Sequence, residues 1–345
     1  MRIILISLLL LGPQIGDPVW VTKTSGVNTN LRGVSITNSA GAGSISEQHV
    51  VWASGSNGVI LRSPDTASPW VQLHVAGAEN LDFRAIQAFD AQTAYVMSSG
   101  EADQSRIYKT TDGGRSWALQ FTDKRKTFFL DALVCDSRTH CLALSDPVDG
   151  KFLLVTTTDG EHWNTLSQER IPTALKDEGA FAASGTCLAL YGDDIYFVTG
   201  GPAARLFHSP DLGRTWTVAD LPIISGNPAA GAFSVARRGT NMVVVGGDYK
   251  NQNSADRVAA YSRDSGRTWA LAKQPPRGYR SAVAWFDDHT LVTVGPKGEE
   301  ISTDAGVNWK ANSLLNLNAV AAINREHAWA VGANGTICHF SIETR

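Results

Sequence analysis

An eight-residue pattern, [ST]-x-D-x-G-x-[ST]-W, recurs along this chain and constrains its fold more than any other feature. It is complete in Thr110-Thr111-Asp112-Gly113-Gly114-Arg115-Ser116-Trp117, and again over residues 209–216 (SPDLGRTW) and 262–269 (SRDSGRTW). Residues 302–309 match except that Asn308 replaces the Ser or Thr. Residues 157–163 are one residue short, and residues 63–70 carry Ala67 in the glycine place. Each position has a mechanical reason. A carboxylate (Asp65, Asp112, Asp159, Asp211, Asp264, Asp304) accepts hydrogen bonds from the N–H groups of its own turn. The glycine permits a positive φ. The tryptophan (Trp70, Trp117, Trp163, Trp216, Trp269, Trp309) brings a large apolar surface and an indole N–H that needs a partner. The motif therefore reads as a stapled turn whose outgoing strand plugs into a core, a folding device rather than an active site.

Trp20 extends the series, and successive motif tryptophans are 40 to 53 residues apart. That spacing fits one four-stranded propeller blade per repeat. Alternating apolar runs fill the gaps. "LRGVSI", "FRAIQAF", "LDALVC", "GAFAAS", "GAFSVA", "YRSAVAW" and "LNAVAAI" read as seven inner strands. The last repeat, "GTICHFSIETR", has no turn and no tryptophan, whereas "PVWVTKT" near the N-terminus has no blade. Pairing the two would close the ring and remove an exposed sheet edge. The expected fold is all-β: a single seven-bladed β-propeller of four-stranded antiparallel blades over residues 17–345, with the N-terminal strand completing the last blade.

Composition narrows the function. A net charge of −3 gives no support for nucleic-acid binding. The apolar run of residues 3–11 is too short to span a bilayer and reads, within residues 1–16, as a secretory signal. The expected location is therefore periplasmic or extracellular. Four cysteines allow three pairings, and the sequence does not choose among them. Cys135 and Cys141 bracket a hairpin turn and are placed for a disulfide, while Cys187 and Cys338 sit in apolar strands. No CxxC or HxxxH occurs, so no metal is expected, and "GAGSIS" is not a dinucleotide loop, so no cofactor is expected.

The repeated turns, the seven-fold count and phrases such as "NLRGVS" and "VVWASGSNGVILRSPD" resemble the photosystem II stability/assembly factor family, a branch of the Asp-box (BNR-repeat) propellers, over residues 18–343. The resemblance implies an exported propeller that binds and helps assemble other proteins.

The motif turns leave the opposite face free for ligands. Arg32, Arg84, Asp131, Gly179, Gly231, Arg280 and Asn318 fall at the same point of successive repeats, so three arginines and a carboxylate should ring the channel mouth, with Tyr279 and Glu178 one residue away. Arginine forks suit carboxylates and phosphates. The expected partner is a protein, or an anionic peptide or small acid, bound to a monomer. Asp248 and Tyr249 follow a double glycine, where the tyrosine would be an interaction anchor. Asp146, Asp149 and Lys151 form a further polar loop, and residues 123–126 (DKRK) a solvated basic run. The alternative is a sialidase-like glycoside hydrolase using Arg32, Arg84 and Arg280 with Tyr279, Glu178 and Asp82, although the expected "RIP"-type segment and large insertions are absent.

Overall fold

A computed structural model describes residues 15–39, 48–64 and 68–344. The leader-like residues 1–14 and Asp65 lie outside the described residues. The described residues form seven antiparallel sheets, each centred on a run of sequential strands. The first blade is Leu31–Ser39, Gln48–Gly55, Ile60–Ser63 and Val71–Leu73. The inner strands of the others are Asp82–Ala88, Leu130–Cys135, Leu188–Tyr191, Asn227–Arg238, Ala282–Trp285 and Leu317–Ala322. The last blade is completed by Ile15–Lys23, which pairs antiparallel with Ile337–Thr344 and sets Trp20 opposite Phe340. The chain is a seven-bladed β-propeller closed by its own N-terminal strand.

The turns are built as the motif dictates. Asp264 accepts the Thr268 N–H at 2.9 Å and the Thr268 hydroxyl at 2.7 Å, while Ser262 Oγ accepts the Gly266 N–H at 2.9 Å. Asp112 and Asp211 repeat this arrangement. In the fourth match the Asn308 amide takes the hydroxyl's place, donating to Asp304 at 2.6 Å. In the shortened copy Asp159 binds the N–H groups of Glu161 and His162 and the His162 ring. The indoles of Trp216, Trp269 and Trp309 donate back to the motif glycine carbonyl.

Several of these tryptophans fill the seams between blades. Trp117 meets Trp52 of the preceding blade edge-on at 6.3 Å, Trp163 meets Tyr95 at 5.9 Å, and Trp70 meets Trp329 across the closure at 5.6 Å. The motif thus fastens a blade to its neighbour, a role invisible in a single repeat. Cys135 and Cys141 form a disulfide across the turn of the third blade, and Cys187 and Cys338 are buried free thiols.

Two inner strands depart from expectation. Residues 179–184 are not a strand, and the fourth blade's inner strand begins at Leu188. Their backbone partners are committed elsewhere. Gly179 forms an isolated bridge with Gly200, while Gly200–Gly201 pairs with Asn227–Arg238 and makes the fifth blade's sheet five-stranded. A Cβ on Gly231 would lie 2.3 Å from the Gly200 Cα, so the two chains approach this closely only as glycines. In the sixth blade the strand begins at Ala282, beyond Tyr279 and Arg280.

Candidate functional site

A bulge recurs near the start of four inner strands and in the middle of a fifth. The register skips one residue between Leu31 and Gly33, Phe83 and Ala85, Leu130 and Ala132, Ala232 and Ser234, and Leu317 and Ala319. A bulge leaves its extra residue unpaired and re-aims the side chain. The five skipped residues are Arg32, Arg84, Asp131, Phe233 and Asn318, and all line one cavity of about 630 Å³ at the channel mouth.

Arg84 is already engaged. Its guanidinium binds Asp82 at 2.7–2.8 Å and donates to the Ala182 carbonyl at 2.8 Å. Asp82 also accepts from the Ser56 hydroxyl. Arg32 differs. It meets the Asn30 side-chain amide at 3.0 and 3.1 Å, and among the described residues it forms no ion pair. Burial, then the charge of Arg84, lowers its pKa. It is a half-buried cation beside a like charge, an arrangement relieved by an incoming anion.

The opposite wall is aromatic. Phe181 and Phe233 stack at 3.8 Å with 9° between planes. Tyr249 stands edge-on to both, and Tyr279 meets Phe233 edge-on at 4.7 Å. Burial raises the Tyr279 pKa. Asp248 does not line the cavity; it accepts the N–H groups of Lys250 and Asn251, fixing the loop that carries Tyr249. Asp131 and Asp146 complete the lining.

Two residues expected at the mouth are not there. Arg280 is 0% exposed and lies inside the sixth blade, bound through two nitrogens to Glu300 at 2.5 Å each. The strand phase is one residue later than the aligned motif suggests: Ser281, not Arg280, faces the cavity, with its hydroxyl on the Asn318 carbonyl at 2.6 Å. Glu178 is also buried, in a two-point ion pair with Arg205 and a hydrogen bond from Thr199. The constellation of three arginines with Tyr279, Glu178 and Asp82 is therefore not assembled. Gly179 and Gly231 contribute no side chain. Phe181 and Phe233 were missed, although "GAF" occurs at 179–181 and again at 231–233 and marks both. Among the described residues no group of three or more His, Cys, Asp or Glu side chains is placed to hold a metal.

Fold and cavity together define a seven-bladed β-propeller with an aromatic-walled channel mouth that carries both arginines and carboxylates. No protein-family model matches the sequence, and no curated protein matches it. Solved structures do. The chain is similar to YCF48 bound to D1 peptide, with a TM-score of 0.68 and 12% identity over 96% of this chain and 99% of that one. It is similar to YCF48 from Cyanidioschyzon merolae, with a TM-score of 0.64 and 13% identity over 93% and 98%. It is also similar to the WD40 propeller domain of Doa1, with a TM-score of 0.60 and 10% identity over 96% and 97%. At these identities the likeness is one of fold.

Proposed function

We propose that this chain is an exported, monomeric binding propeller of the assembly-factor kind, whose channel mouth takes the acidic end of a polypeptide partner. The carrying observation is Arg32, a half-buried guanidinium that forms no ion pair among the described residues, set in a cavity with an aromatic wall. A terminal carboxylate matches the planar fork of an arginine, and apolar side chains match the rings. A structural neighbour solved with a bound peptide supports the choice of a protein partner. The leader-like residues 1–16 and the Cys135–Cys141 disulfide support an oxidising location. Among the described residues no helix is long and apolar enough to cross a membrane. Secretion of a reporter fused behind residues 1–16, and light scattering at the mass of one chain, check export and monomer.

The decisive experiment is a peptide array in which each sequence is presented with a free C-terminal carboxylate and as the carboxamide. The free acid should bind about tenfold tighter, roughly 1.4 kcal/mol. Arg32→Glu should abolish that preference without moving the melting temperature. Equal binding of acid and amide forms would rule this reading out. Arg280→Ala is the contrasting control. It removes the two-point partner of buried Glu300, leaving only the longer contacts from Arg277, and should cost about 3 kcal/mol of stability.

A further inference from the structure

The acidic corner of the cavity has no part in that reading. Asp131 projects from its bulge, is 1% exposed, and its Oδ2 receives no hydrogen bond. Asp146, at the end of the neighbouring strand Cys141–Val148, is half-buried on the same wall. Its Oδ1 accepts the Ala180 N–H at 2.9 Å, and its Oδ2 receives no hydrogen bond among the described residues. Gly179 backs onto this carboxylate, since a Cβ there would stand 2.9 Å from Oδ1.

Among the described residues neither acid forms a contact ion pair; Arg84 is close enough for its charge to act on Asp131, but its hydrogen bonds go elsewhere. Arg84 is held by Asp82 and the Ala182 carbonyl. The thiol of Cys187 is buried, and burial raises its pKa further. Buried carboxyls on one wall do not both ionise freely. Burial and then the charge of Asp146 raise Asp131 well above the ordinary carboxyl range, and burial pushes Asp146 to about 6. The charge of Arg84 opposes that rise at Asp131, but no ion pair or hydrogen bond from a cation reaches either carboxylate among the described residues. Near neutral pH the pair therefore carries a negative charge. The next residue after Ala180 is Phe181, whose ring belongs to the aromatic wall. Phe181, Asp131 and Asp146 line the same cavity, and a buried carboxylate oxygen with no donor receives an alkylammonium N–H.

We propose that Asp131 and Asp146 form a subsite for a primary ammonium group, so that the cavity takes a dipolar ligand: a carboxylate at Arg32 and a lysine ammonium at the acid pair. The proposal rests on the cavity being a ligand site, yet its test does not use the carboxylate.

The probe is n-butylammonium chloride, titrated into ¹⁵N-labelled protein. Controls are n-butanol and sodium chloride at matched ionic strength. Butylammonium should shift the amide signals of Asp146, Gly179 and Ala180 saturably, and neither control should. The Asp131→Asn/Asp146→Asn double variant should weaken binding about tenfold or more. If that variant loses spectral dispersion, Asp146→Asn alone, at the partly exposed position, becomes the deciding variant. Three results would overturn the subsite: an equal response to butanol, no saturation by about 100 mM, or an unchanged titration in the variant. Butylammonium has no carboxylate, so failure of the acid-over-amide preference at Arg32 leaves this readout standing.

Discussion

At the scale of single residues, chemistry at the mouth is decided by which side of a strand a residue faces. Arg32 and Arg280 occupy matching places in their repeats, but one lines the cavity and the other is sealed against Glu300. The acid pair has a consequence for stability. A carboxyl whose folded pKa is raised binds its proton more tightly in the folded state. Its contribution is full below the unfolded value near 4 and is lost as pH rises through the folded value, here about 6 for Asp146. Between pH 4 and 7 the native protein should lose on the order of 3 kcal/mol relative to the Asp131→Asn/Asp146→Asn variant. Urea titrations at several pH values check this. Parallel curves for both proteins would show that the pair does not titrate in this range.

At the scale of elements, the aspartate-stapled turn is a local device with a long-range product. The carboxylate fixes the turn, and the turn delivers its tryptophan to the seam with the preceding blade. Hydrogen bonding holds the described motif carboxylates, Asp112, Asp159, Asp211, Asp264 and Asp304, below their usual range, Asp264 at about 2. Their support is accordingly present above the unfolded pKa and lost as pH falls below it, the opposite sense to the acid pair. Asp304→Ala removes acceptors for the Asn308 N–H, the Asn308 amide and the Ser302 hydroxyl. It should lower stability by about 1–2 kcal/mol, with Asp304→Asn losing less. An unchanged urea midpoint for the alanine variant would show that the staple is dispensable. This element was legible from spacing because its chemistry is local. The fourth blade was not: "GAFAAS" alternates like a strand, but its Gly179 bridges Gly200, which itself pairs with the fifth blade, and no local pattern records that.

At the scale of the whole molecule, one strand closes the ring. Ile15–Lys23 covers the edge of Ile337–Thr344, and the Trp20 indole reaches into the sixth blade to donate to Glu299 at 2.8 Å. A chain beginning at Thr24 should expose that edge, lose stability, and self-associate in light scattering. Adding a synthetic peptide of residues 15–23 should reverse both effects. A truncated chain that stays monomeric with an unaltered melting temperature would mean the closure is not needed.

Sequence by itself determined the number of blades, the stapled turns and the closing strand. Each follows from a repeat of residue types whose hydrogen bonds and burial are satisfied within one blade or at its seam. Tertiary structure alone decided which polar residues share the mouth. A single bulge reverses the face that a side chain presents, and ring geometry then brings Arg32, Phe181, Asp131 and Asp146 from four different segments to one cavity.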